Sequence, residues 1–266
     1  GTMWMMVPES CLVTLKGRPK KGVTAKDIAL KIQTIAPPDH LIYKAIEIGG
    51  DYAHEMSVAS RLVIANMMCE TGAKCGILPP DQVVADYLGE ELCSLASDPD
   101  AVYTDRYEVD LDALEPVLAC PHAVQNVKNV TEVEGVKVQQ AFLGSCTNGR
   151  IEDFLQAAEI LRGRKIHPNV RMIVVPGSQT IYLEMARMGL LELFTECGAA
   201  VLSPGCASCG GFGPGTIGNN EVCISTTNRN WQGRMGPKSS SVYLGSAYSV
   251  AAAAVAGEIV SPLRYL

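Results

Sequence analysis

Apolar and polar residues alternate over residues 11–16, a period of two that predicts a half-buried strand. A basic turn over 17–22 separates it from a stretch with helical spacing. There Thr24-Ala-Lys-Asp27 has the form of a capping box, predicting a helix to residue 35 that Pro37-Pro38 closes. A second strand is predicted over 41–48, ending at Gly49-Gly50. The next helix opens at Ser57, with Val58, Leu62, Ala65 and Cys69 on its buried face and Gly72 at its end. A short strand over 73–78 and a helix from Pro79-Pro80-Asp81 to Leu88 complete two α/β units.

From 89 to 121 the periodicity weakens and acidic residues accumulate, as in Asp98-Pro-Asp100, which suits a linker. The chain is therefore expected to divide near residue 95, into one α/β domain over 1–95 and a second over 96–266. In the second, a buried strand over 136–144, a capped helix over 148–161 with Phe154, Ala158 and Leu161 inward, and a strand over 170–175 form a β-α-β unit. Such a unit is parallel and right-handed. A helix over 178–188, strands over 199–202, 222–225 and 242–244, and an alanine-rich helix over 246–256 follow. There is no internal repeat and no low-complexity tract.

Composition narrows the class. The chain has 266 residues, 47% hydrophobic and 19% charged, enough for one large core or two modest ones. Ten cysteines are too few for a disulfide-stapled scaffold of this length, so a reducing compartment, the cytoplasm, is expected. A net charge of -6 without a long Lys/Arg run gives no support for a nucleic-acid surface. The longest apolar run, 250–257, is too short to span a bilayer, and the start of the chain lacks a charged-then-apolar signal pattern.

The candidate chemistry lies in a loop over 203–218, where Cys206 and Cys209 are spaced C-x-x-C among glycines and prolines. Paired thiols on a loop that lets backbone approach closely are soft ligands for zinc or for an iron-sulfur cluster. A thioredoxin-like redox pair also uses this spacing but wants a helix at the motif, which Gly210, Gly211, Gly213, Pro214 and Gly215 would break. A third cysteine, Cys146, follows the strand ending at Gly144 and precedes a helix, where parallel sheets place their sites. Parallel neighbours would bring all three thiols to one edge. A [4Fe-4S] cluster with one open iron, a structural zinc, and three ordinary thiols all remain open on spacing alone.

Three longer motifs contain these cysteines or follow them: Gly144-Ser-Cys-Thr-Asn-Gly-Arg150, Pro204-Gly-Cys-Ala-Ser-Cys-Gly210 and Cys223-Ile-Ser-Thr-Thr-Asn-Arg-Asn-Trp-Gln-Gly-Arg234. In order and separation they resemble the signature motifs of the aconitase superfamily, and within it the branch that isomerises isopropylmalate and related small acids. The resemblance covers essentially the whole chain. It implies the aconitase iron-sulfur type of α/β fold, with two α/β/α three-layer domains and largely parallel sheets, corresponding to the family's second and third domains. It also implies a hydro-lyase acting on a hydroxy di- or tricarboxylic acid, most closely isopropylmalate. Acids such as 2,3-dimethylmalate, homoaconitate or methylcitrate are alternatives, because Ala-Ser separates the paired cysteines and Gly-Gly-Phe-Gly follows them.

By resemblance, Cys146, Cys206 and Cys209 are ligands of a [4Fe-4S] cluster whose free iron binds substrate. Asn148, Arg150, Asn228, Arg229 and Arg234 match the family's substrate-binding positions. Glu47, within Ala45-Ile-Glu-Ile-Gly-Gly50, takes the place of the second-domain glutamate, whereas His40, His54, His122 and His167 read as structural. The resemblance further implies a first domain ahead of residue 1 and a small subunit carrying a swivelling domain, so turnover is expected only when both are supplied. A function of another class, a cluster- or RNA-binding regulator, is disfavoured by the acidic balance.

Overall fold

The computed structural model describes residues 1–90 and 96–266. The first part runs β1 (Ser10–Lys16), α1 (Ala25–Ile32), β2 (Ala45–Gly49), α2 (Asp51–Glu55), α3 (Val58–Met68), β3 (Cys75–Ile77), α4 (Gln82–Leu88) and β4 (Asp105–Asp110). Its strands form a parallel sheet in the order β3-β2-β1-β4, with Leu12 paired to Glu47 on one side and to Arg106 on the other. The capping box is present: Asp27 accepts from the amide and hydroxyl of Thr24, whose own hydroxyl accepts from the Lys26 amide.

Two boundaries differ from expectation for local reasons. Helix α1 stops at Ile32, and Gln33 turns its side-chain amide onto the Met67 carbonyl at 2.9 Å. The second strand starts only at Ala45, because Asp39 and Tyr43 adopt φ values of 63° and 65° that no extended strand allows.

The buried face of α3 is not the expected one. Arg61, Val63, Ile64, Met67 and Met68 point inward, whereas Leu62 and Cys69 are exposed and Val58 and Ala65 half-buried. Arg61 can turn inward because Asp81 accepts a bidentate pair from its guanidinium at 2.8 and 3.0 Å, which offsets desolvation of the charge.

The second part comprises β5 (Val117–Ala119), β6 (Val127–Asn129), β7 (Gln140–Gly144), α5 (Ile151–Leu161), β8 (Arg171–Val175), α6 (Gln179–Arg187), α7 (Leu190–Cys197), β9 (Ala200–Val201), β10 (Val222–Ser225), β11 (Ser241–Leu244) and α8 (Ala247–Ala256). Its sheet has the order β6-β5-β11-β10-β7-β8-β9. From β11 to β9 every pairing is parallel, and β5 and β6 add an antiparallel edge. The stretch expected to be a linker holds both β4 and β5. The expected division near residue 95 lies outside the described residues, and the change of sheet falls between Asp110 and Val117, because β4 hydrogen-bonds to β1.

One apolar cluster joins the two sheets. It combines Val13, Leu15, Ile46 and Ile48 of the first sheet and Ile28, Leu30, Ile64 and Met67 of α1 and α3 with Phe142, Cys223 and Leu244 of the second. The opposite face of the second sheet is covered by α5, α7 and α8, where Phe154 and Phe194 meet edge to face at 6.0 Å. Phe154, Ala158 and Leu161 point inward as expected. Among the described residues no helix is long and apolar enough to cross a membrane.

Candidate functional site

Strands β7, β9 and β10 run parallel in one sheet, so the loops that follow them leave at the same edge. After β7 the chain turns sharply. Gly144 has φ 119° and a Cβ there would lie 1.9 Å from the Val175 carbonyl oxygen, while Ser145 comes next at φ 79°. This turn delivers Cys146 to the surface, exposed, while Thr147 and Asn148 are buried. Asp153, in the first turn of α5, accepts from the Asn148 side chain at 2.8 Å and from the Arg150 amide at 3.0 Å. Burial pushes the Asp153 carboxyl up to about 6, against the downward pull of those two bonds.

After β9 the chain reaches Cys206, exposed, and a 3-10 turn, Ala207–Gly210, that contains the half-buried Cys209. The Cys209 amide donates to the Cys206 carbonyl at 3.0 Å, which fixes the C-x-x-C turn. Ser208 between them is fully buried and its Oγ has no partner.

After β10, the Thr226 hydroxyl accepts from the Gly144 amide at 2.8 Å and ties the third motif to the first. Asn228 and Arg229 come next. Asn66 of α3 joins the loops from the other side: its Oδ1 accepts from the Thr147 hydroxyl at 2.9 Å and from the Asn228 side chain at 2.6 Å. One helical turn further on, Glu70 accepts from Arg229 Nε at 2.9 and 3.0 Å, and the Arg229 guanidinium stacks on Trp231 at 5.2 Å.

Asn66 and Glu70 are site residues beyond those the sequence pattern singles out. Their signal is nonetheless there, since two polar residues four positions apart on an apolar helix share one face. That face is the one carrying Leu62 and Cys69, which periodicity assigns to the core.

Glu47 stands elsewhere. Its Oε2 accepts from the Ser97 hydroxyl and the Tyr103 hydroxyl, both at 2.7 Å, in a cleft of about 450 Å³ lined also by His54, Asp81 and Arg106. No described hydrogen bond joins it to the three motifs, because β2 belongs to the other sheet and its end opens onto this separate cleft. Among the described histidines, His40 and His54 are engaged with Asp105 and Asp81.

Among the described residues, no three His, Cys, Asp or Glu side chains come together as a metal-binding group, so the three thiols share an edge without being drawn into ligand spacing. Every described cysteine is a free thiol. The surroundings nevertheless fit a bound group. Buried polar atoms without partners are rare, yet Asn148 Oδ1, Arg150 Nε, Asn228 Oδ1, Arg234 Nε and Ser208 Oγ are all in that state. They belong to four of the five expected substrate-binding side chains and to the residue between the paired cysteines. Two asparagine oxygens offer acceptors and two guanidinium nitrogens offer donors, a set that suits a hydroxy acid beside soft thiol ligands.

Comparison with known proteins adds an independent finding. Residues 1–257 match the description of the aconitase family (aconitate hydratase). The chain is 42% identical over 273 residues to 3-isopropylmalate dehydratase large subunit 1 of Thermotoga maritima, covering all of this chain and 65% of that protein. It is 44% identical over 271 residues to large subunit 2 of the same name from Archaeoglobus fulgidus, again covering all of this chain and 65% of the relative. A probable methanogen homoaconitase large subunit of Methanosarcina mazei is 43% identical over 268 residues, with 99% of this chain and 68% of that protein covered. The chain thus spans 65% of the length of the first two relatives.

Proposed function

Because the chain belongs to the aconitase family, we propose that it forms the cluster-binding and carboxylate-binding part of an iron-sulfur hydro-lyase. The substrate in this reading is a small hydroxy dicarboxylic acid, with interconversion of 2-isopropylmalate and 3-isopropylmalate as the reaction. The observation that carries the reading is Asn66 Oδ1, which accepts at once from Thr147 of the first motif and Asn228 of the third. A helix from one sheet thereby organises loops from the other around a common edge.

Cys146, Cys206 and Cys209 would hold a [4Fe-4S] cluster, which when bound supplies a Lewis acid beside the substrate hydroxyl. The chain's own residues bind and orient the substrate. Arg150, Arg229 and Arg234 bind carboxylate by forked, charge-assisted bonds. Asn148 and Asn228 present free acceptor oxygens that orient a hydroxyl. Glu70 aims Arg229, and it takes the carboxylate role expected of Glu47, whose contacts lie in the other cleft. The relatives are named large subunits, which supports a small-subunit partner for this chain as well. The free thiols suit a reducing compartment such as the cytoplasm.

A second substrate reading, homoaconitate, rests on the comparable identity to the Methanosarcina mazei relative. The test is an anaerobic absorbance assay for the unsaturated acid. The chain is reconstituted with iron and sulfide and supplied with the remaining large-subunit sequence and the small subunit. Turnover of 2-isopropylmalate is expected. Turnover of homocitrate alone would select the second reading, and a fully loaded assembly that dehydrates neither acid would overturn the hydro-lyase assignment.

A further inference from the structure

Beneath the third motif lies a buried charge that touches none of the three cysteines. Lys26, the second residue of α1, is 0% exposed. Its Nζ donates to the carbonyls of Thr226 and Thr227, each at 2.9 Å, and lies 3.6 Å from the Met67 sulfur of α3. These two carbonyls belong to the turn that leaves β10, where the chain has just quit the sheet and faces the interior. Two successive buried carbonyls need donors, and an ammonium has three N–H groups within one atom's reach.

That turn sits between two fixed points. Thr226 is already tied to β7, through its amide to the Phe142 carbonyl at 3.0 Å and through its hydroxyl to Gly144. The next residues are Asn228 and Arg229, which meet Asn66 and Glu70 of the α3 region. Lys26 grips the chain between those two anchor points, and it touches α3 as well through Met67. We propose that Lys26 is a positioning residue of the site: by holding the Thr226 and Thr227 carbonyls it sets where Asn228 and Arg229 stand relative to Asn66 and Glu70.

A merely space-filling role fits poorly with the cost of a fully buried cation. Burial pulls the Lys26 ammonium down to about 8, while Asp153, Cys209, Cys146 and Glu70 pull it back up. Three of those four groups line the site, and the fourth, Asp153, holds Asn148 and Arg150. The functional consequence, a correctly aimed Arg229, rests on the hydro-lyase reading, but the positional statement does not.

The chain reports the position itself, because Trp231 carries the Arg229 guanidinium on its ring and the other tryptophan, Trp4, is removable. In a Trp4→Phe background, emission and acrylamide quenching of Trp231 are compared for wild type, Lys26→Met and Lys26→Gln, with native circular dichroism as the check on folding. Lys26→Met is expected to keep its secondary structure and to raise the quenching constant of Trp231 about twofold, and Glu70→Gln, which releases Arg229 directly, should shift it in the same direction. Native quenching in folded Lys26→Met would overturn the proposal. If that variant does not fold, Lys26→Gln decides: its neutral, one-atom-shorter amide cannot reach both carbonyls, so a shift in the same direction supports the role and an unchanged spectrum refutes it. In the assembled enzyme the same variants should raise KM more than they lower kcat. Failure of that assay with an altered Trp231 signal would count against the hydro-lyase reading and not against Lys26.

Discussion

Glu70 and Arg229, 159 residues apart in sequence, meet in a pair in which one guanidinium nitrogen donates to both carboxylate oxygens, at 2.9 and 3.0 Å. The carboxylate side chain is 5% exposed and the arginine 39%. The pair is therefore half in solvent, and its worth to stability is modest. Its larger effect is geometric, because it decides which way the free edge of the guanidinium points. Glu70→Gln should cost about 1 kcal/mol or less in unfolding free energy, yet weaken binding of a dicarboxylate roughly tenfold, a loss of ~1.4 kcal/mol. Urea titration and calorimetry on the same samples separate the two. Equal losses in both would show that Glu70 is structural only.

The three motif cysteines should behave differently from a neighbouring thiol. Cys146→Ser, Cys206→Ser and Cys209→Ser each should lower iron and inorganic sulfide after anaerobic reconstitution well below the wild-type content. Cys69→Ser, an exposed cysteine beside Glu70, should leave that content unchanged. One tightly held zinc without sulfide in the wild-type chain would replace the cluster with a structural metal.

Asn66→Ala removes the acceptor shared by Thr147 and Asn228. Each lost bond is worth about 0.5–1.5 kcal/mol, so a combined destabilisation near 1–3 kcal/mol is expected in chemical denaturation. Asn66→Asp keeps an acceptor at the same place and should recover most of the stability. If both variants were equally destabilised, the hydrogen bonds would not be the reason for the residue.

Asp27 and Asp153 are buried carboxyls pushed up to about 6 by desolvation, against an unfolded value of about 4. The folded chain binds their protons more tightly than the unfolded chain. Their contribution is thus fully present below pH 4 and is lost as pH rises through 6. Asp105, bonded to His40 and Lys44, Glu221, bonded to Arg171, and Asp81, whose bonds to Arg61 and His54 outweigh its desolvation, are held low and act with the opposite sign. The difference between wild type and Asp153→Asn isolates one group. Between pH 4 and 6 the stability of the variant should fall less steeply, or rise more steeply, than that of wild type. Parallel profiles would place the Asp153 titration outside this window.

The local text of the chain determined a good deal of this. Alternation marked β1, the Thr24 and Asp27 pair marked the start of α1, and strand-turn-helix punctuation around Gly144 and Asn148 placed Cys146 at a strand end. These features are legible because their causes lie within a few residues: a capping bond, a positive φ, a period of two or of 3.6. The acidic strand β4 does alternate from Arg106 to Leu111, but its run of carboxylates reads as a linker until its pairing to β1 shows which face is buried. The buried face of α3 differs from the one periodicity suggests because Leu62 and Cys69 are as apolar as Ile64 and Met67, and periodicity alone does not say which stripe meets the sheet. Glu70 is a case of the same kind: the sequence pattern points to Glu47, and only the packing of one sheet's helices against the other sheet brings Glu70 to Arg229, while Glu47 bonds to Tyr103. Residue identity and spacing settle which chemistry is available, whereas contacts between segments far apart in sequence, which no local pattern encodes, settle which side chains share a site.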